Sequence, residues 1–169
     1  TLTGTGYRIR LAPGVYGPDL VPNFFEERHG TREFPILIET TGAPGDTRLP
    51  ALNFYDCRYV YLLGLEISAG GGDALHFEKG DHILLRSVTV IGTGDIATFQ
   101  APQETLKINQ SQYVYVEDSD ISGASDNAID FVGVQYGHLV NNRIHRALDW
   151  YLYLKGGSAY FLVAGNELD

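Results

Sequence analysis

Methionine is absent from all 169 residues, the first position included, which leads to the expectation of a processed chain or an excised fragment. A single cysteine, Cys57, excludes an internal disulfide and leaves the redox compartment unmarked. No apolar run reaches the roughly 18 residues of a membrane-crossing helix, so no membrane partner is expected. Positive charge is scarce. Twelve Lys and Arg stand against 21 Asp and Glu, a formal net charge of −9. Such a field repels nucleic acid and anionic surfaces and leaves a cation or a neutral glycan as the better-matched partner. The 3.6-residue helical pattern is also missing from 51 to 169.

What is present is a repeat of strand-like alternation. The composition, 44% hydrophobic and 20% charged, suits one globular domain with a core. Related stretches open at positions 51 (ALNFYDCRYVYLLGLEI), 74 (ALHFEKGDHILLRSVTV), 105 (TLKINQSQYVYVEDSDI), 128 (AIDFVGVQYGHLVNNRI) and 151 (YLYLKGGSAYFLVAGNEL). The offsets define coils of roughly 23 residues, with an eight-residue insertion inside 91–104, as a solenoid requires. In each unit the second and fourth residues are apolar: Leu52/Phe54, Leu75/Phe77, Leu106/Ile108, Ile129/Phe131 and Leu152/Leu154. Period two means a strand with one buried face. A second alternation turns Val60/Leu62, Ile83/Leu85, Val114/Val116 and Phe161/Val163 inward, and a third short strand carries Ile67, Val90, Ile121, Ile144 and Leu168. Three strands and three turns per unit, stacked at about 4.8 Å, make an all-β, parallel β-helix solenoid of one domain, 1–169. Its regular coils span 51–169. Within 1–50, less regular coils are expected, with YRIRL and FPILIET as strands and 18–33 as a long loop.

Stacking the first strands places their outward third residues in one column, Asn53, His76, Lys107, Asp130 and Tyr153. The fifth residues form a second: Tyr55, Glu78, Asn109, Val132 and Lys155. The preceding turn adds Asp73, Glu104, Asp126, Asn127, Asp149 and Trp150. Lys107 and Asp130, one coil apart, form a surface ion pair in this reading. Carboxylates at a groove edge suit Ca²⁺, a hard ion that takes oxygen ligands, so Asp126 and Asp149 are the candidate metal residues. Trp150, Tyr151 and Tyr153 offer rings for stacking on sugars. Asn142 and Asn166 hold one turn position in successive coils, where stacked amides brace the turn. The second strand's outward set, including Tyr59, Tyr61, Tyr113 and Tyr115, is aromatic and without convergent charge, a contact surface at most.

The stretches APGVYG, GLEISAGGGDALHF, TLKINQSQYVYVEDSDISG, NAIDFVG and YLKGGSAYFLVAGNEL resemble the right-handed parallel β-helix superfamily that includes pectate lyases, nearest the alginate lyase and chondroitinase B branch. The resemblance implies a right-handed solenoid, a polysaccharide substrate held over the first-strand face, and a secreted or cell-surface location. It implies β-elimination on acidic glycans, with Lys155 as catalytic base and His76, Lys107, Asp130, Tyr153 and Trp150 binding substrate. Elimination needs the uronate carboxylate neutralised and the C5 proton removed. Two function classes stand open: a polysaccharide lyase, and a non-catalytic β-helix that binds glycan or serves an assembly. The coil from Tyr151 runs only to Asp169, which leads to the expectation of another chain or copy packed on that end.

Overall fold

The structure, a computed structural model, describes residues 6–93 and 103–169. It is a right-handed parallel β-helix, and among the described residues no helix occurs. The first sheet stacks Phe24–Glu26, Leu52–Tyr55, Leu75–Glu78, Leu106–Asn109, Ile129–Val132 and Leu152–Lys155, every neighbouring pair parallel. The second holds Arg8–Leu11, Ile36–Thr40, Arg58–Leu63, Asp81–Arg86, Gln112–Glu117, Gln135–Val140 and Ala159–Ala164. The third runs from Gly14–Val15 through Thr47–Pro50, Leu65–Ser68, Thr89–Ile91, Asp120–Ala124 and Arg143–Ala147 to Glu167–Leu168.

Like residues stack because each coil repeats the inward pattern of the last. Leu52 lies beside Leu75, Leu75 beside Leu106, Leu106 beside Ile129, and Ile129 beside Leu152. One row inside the first sheet consists of Phe25, Phe54, Phe77, Ile108, Phe131 and Leu154. Its first three rings are parallel, with centroids 4.9 and 4.4 Å apart. Phe77, Ile108 and Phe131 are fully buried, so each contributes about 1.5–3 kcal/mol of apolar burial. In the second sheet the inward row passes through Gly137, whose missing side chain makes room for Phe161: a Cβ there would stand 2.3 Å from that ring.

The turns are satisfied by side chains that reach one coil over. The Asn142 side chain accepts from Ser119 N–H at 3.0 Å and donates to the Val116 carbonyl at 2.8 Å. Asn166 repeats the pattern, accepting from Asn142 N–H at 2.9 Å and donating to the Leu139 carbonyl at 2.7 Å. Between first and second strands, Ser111 Oγ accepts from Gly80 N–H at 2.8 Å and Ser158 Oγ from Val134 N–H at 3.0 Å. Buried backbone donors outside the ladders are thereby paired.

Several expectations change. The segment 18–33 is not one loop, for Phe24–Glu26 inside it is a first-sheet strand paired with Leu52–Tyr55. Thr47–Pro50, read as no strand, joins the third sheet. Val163 and Leu168, in the last described coil, are 49% and 52% exposed, the uncovered apolar end that the repeat leads one to expect. Asp130, assigned to an open surface column, has no exposed side-chain area at all. Of the insertion, 94–102 lie outside the described residues; the strand before it is Thr89–Ile91, the third of its coil.

Candidate functional site

The outer face of the first sheet brings His76, Lys107, Asp130 and Tyr153 into one row, each the register neighbour of the next. Alternation points these residues away from the core, and parallel pairing keeps them about 4.8 Å apart. The Asn109 and Lys155 row runs beside it.

Asp130 is the centre of the row. Its carboxylate is buried under its neighbours, with Lys155 Nζ 3.1 Å and Lys107 Nζ 3.8 Å from Oδ2. Neither oxygen accepts a well-directed hydrogen bond. Burial raises its pKa, and Glu104 adds to the rise, while Lys155 opposes it. Lys107 Nζ donates to Glu104 Oε1 at 3.0 Å. Burial works against the Lys107 charge, but Glu104, Asp73 and Asp130 outweigh it, and its pKa stands above the ordinary lysine value. For Glu104, burial is likewise outweighed by Lys107, and its pKa is lowered. The anions lie beneath and the cations reach outward: side-chain exposure is 0% at Asp130 and 10% at Glu104, against 26% at Lys107 and 35% at Lys155.

The turn residues complete the cluster. The Glu104 N–H donates to Asp73 Oδ1 at 3.2 Å. Burial, followed by the charge of Glu104, raises the Asp73 pKa to about 6. His76 is half-buried between Asn53 and Lys107, and the Asn109 amide lies 3.3 Å from its Nε2. Burial and the Lys107 charge lower its pKa.

The two ends of the row differ. Toward the amino end, a hollow of about 660 Å³ is lined by Pro18, Pro50, Ala51 and the turn 70–72, with Asn23, Asn53 and Asp73 as its polar groups. Toward the carboxyl end, Trp150 and Tyr153 pair with ring centroids 6.2 Å apart, and Lys155 Nζ stands 4.7 Å above the Tyr153 ring. Both rings are exposed, Trp150 at 56% and Tyr153 at 40%.

Asp126 and Asp149 sit in the turn before this sheet, where the Asp149 N–H donates to the Asp126 carbonyl at 3.1 Å. Burial, then Glu104 and Asp149, raises the Asp126 pKa. Among the described residues no group of three or more His, Cys, Asp or Glu side chains is placed to hold a metal. Two carboxylates fall well short of the six to eight oxygens that Ca²⁺ takes, so no step is derived through that ion. The structure thus gathers Lys155, Lys107, Asp130, His76, Tyr153 and Trp150 on one face. It leaves Asp126 and Asp149 at the margin. Asp73, Glu104 and Asn109 were legible as groove-side positions, but the strand pattern does not link Asn109 to His76 or Asp73 to Glu104, because those contacts cross coils, while Glu104 reaches Lys107 within its own coil.

With this geometry in place, comparison with solved structures finds similar chains, among them the following two. A protein described as a "putative glycosyl hydrolase", from Parabacteroides merdae ATCC 43184, superposes with a TM-score of 0.66 over 96% of this chain and 83% of its own, at 10% identity. A mannuronic acid specific polysaccharide family 6 lyase enzyme from human gut microbiota aligns with a TM-score of 0.41 at 12% identity, over 97% of this chain and 54% of its own. What is shared with the first is the fold. The chain thus spans about half the length of the second neighbour. No family model and no curated protein sequence matches the chain.

Proposed function

We propose that this protein is a polysaccharide-active β-helix whose first-sheet face takes acidic glycans and cleaves them by β-elimination. The observation that carries the reading is the layering of charge: two ammonium groups, Lys107 and Lys155, reach the surface over carboxylates sunk beneath them. A chain of uronates presents its carboxylates to such a row and its pyranose faces to Trp150 and Tyr153. The amide and carboxyl groups of the hollow at the amino end suit hydroxyls. The likeness in fold to a protein described as a glycosyl hydrolase agrees with this reading and carries no substrate of its own.

Lys155 enters this proposal as a cation. Its Nζ lies 3.1 Å from the buried Asp130 Oδ2, so its closest partner is a carboxylate of the same face. The same pairing favours a second reading, in which the face binds glycan and performs no chemistry. Affinity electrophoresis in gels containing alginate, polygalacturonate or chondroitin sulfate tests the shared part of both. Retardation by at least one of these is expected, weakened about tenfold in Lys107→Gln and Lys155→Gln. Unretarded migration in all three gels would sink both readings.

A further inference from the structure

On the reading that this face takes uronate-containing glycans, we propose that His76 is the proton acceptor of the site, oriented by Asn109, with Lys107 neutralising the substrate carboxylate. The argument begins with elimination. The C5 proton leaves to a base, the C4–O bond breaks with its electron pair on the departing oxygen, and a C4=C5 double bond forms. The departing oxygen takes a proton from water, and the imidazolium returns its own to solvent. Two groups are needed side by side: a cation at the carboxylate and an uncharged base at C5.

His76 and Lys107 are register neighbours on the outer face, so imidazole and ammonium stand one strand spacing apart. The groups facing His76 are Asn53 from the preceding strand, Lys107 from the following one, Glu78 on its own strand, and Glu104 at the turn. Burial and Lys107 favour the neutral ring, while Glu78 and Glu104 pull the other way by less. Burial and Lys107 thus leave the imidazole beside the ammonium as the uncharged partner that elimination needs.

Asn109 occupies one ring nitrogen and leaves the other for substrate. Its amide lies 3.3 Å from His76 Nε2, and its Oδ1 is buried without a donor. With the amide turned over, Oδ1 instead accepts from the Nε2–H. Nδ1 then carries the lone pair. Asn109 is a positioning residue, since it acts through the imidazole.

The test measures release of unsaturated ends, by their ultraviolet absorbance, from polymannuronate, polyguluronate, polygalacturonate and chondroitin sulfate. Binding to the same glycans is measured alongside, and melting curves control for folding. Wild type is expected to release product from at least one substrate, with an acid limb below pH 6.5. His76→Gln should lower kcat at least a hundredfold with KM little changed, and Lys107→Gln should chiefly raise KM. Asn109→Asp sets a carboxylate against the ring, so its acid limb should move up by about one pH unit, a shift that a merely structural role would not give. Binding without product from any substrate overturns the inference and leaves the glycan-binding reading standing; neither binding nor product overturns both. Product release by His76→Gln within threefold of wild type, or an unmoved acid limb in Asn109→Asp, overturns the assignment alone.

Discussion

At the scale of single residues, the candidate site is a place where burial and charge are balanced to keep groups in unequal protonation states. Asp73 shows the sign most clearly. Its ordinary pKa of 3.8 rises to about 6 in the fold, through burial first and Glu104 second. The folded state therefore holds this proton more tightly than the unfolded chain does. Between about pH 4 and 6 the native protein binds more protons, so the contribution of Asp73 to stability falls as pH rises through that window. Above pH 6 the penalty is fully present. Part of it is screened by solvent, since Asp73 is only partly buried, and a figure on the order of 1 kcal/mol is reasonable. Asp73→Asn keeps an oxygen for the Glu104 N–H and removes the charge. It should raise Tm by about 2–4 °C at pH 7 and leave it unchanged at pH 4. Equal shifts at both pH values would show that burial of charge is not the cause.

At the scale of elements, the second sheet departs most from what alternation alone suggests. The inward residues Val60, Ile83 and Val114 are legible from period two and are buried. Outside them, Tyr59, His82, Tyr113, Tyr136 and Tyr160 were legible only as members of an outward aromatic set or as unremarked strand residues. In the structure each has φ between 51° and 63°, and pairing skips from the residue before to the residue after. Left-handed backbone costs a non-glycine residue roughly 1–2 kcal/mol, yet five bulky ones repeat it. Their rings form one stack, with centroids 4.4, 4.5, 5.1 and 5.0 Å apart. Stacking at about 0.5–1.5 kcal/mol per pair offsets the strain, and the stack exists only once the coils are assembled. That is why single-strand periodicity could not show it. Tyr113 has a ring on either side, so its replacement separates the two terms. Tyr113→Ala loses the stack and keeps the strain; Tyr113→Gly loses the stack and relieves it. Glycine should therefore be the less destabilising of the two, by about 1 kcal/mol in urea unfolding. If alanine is the better tolerated, the strain is not real.

At the scale of the whole molecule, the solenoid was legible because every coil restates the same inward rows, so the pairing of Leu52 with Leu75 and of Ile129 with Leu152 follows from alignment of like with like. The burial of Asp130 was not, because its cover comes from Glu104, Lys107 and Lys155 on three different strand or turn segments, a sum that no one strand encodes. The same separation of local from global governs how a polyanion would approach. The chain carries −9 overall, so at long range it repels an acidic glycan, while the row of Lys107 and Lys155 attracts it at contact. Added salt screens the two unequally, since the Debye length is about 30 Å at 0.01 M and about 10 Å at 0.1 M. Raising NaCl from 0.01 to 0.1 M should remove most of the long-range repulsion and speed association, while contacts of 3–4 Å persist. Toward 1 M, where screening reaches about 3 Å, the ammonium–carboxylate contacts themselves should weaken. Surface plasmon resonance on immobilised alginate or polygalacturonate would then show affinity passing through a maximum at intermediate salt, with the association rate rising first. A monotonic fall from the lowest salt upward would mean that the global field does not oppose the ligand, and affinity that never falls toward 1 M would mean that the cationic row is not the place where it binds.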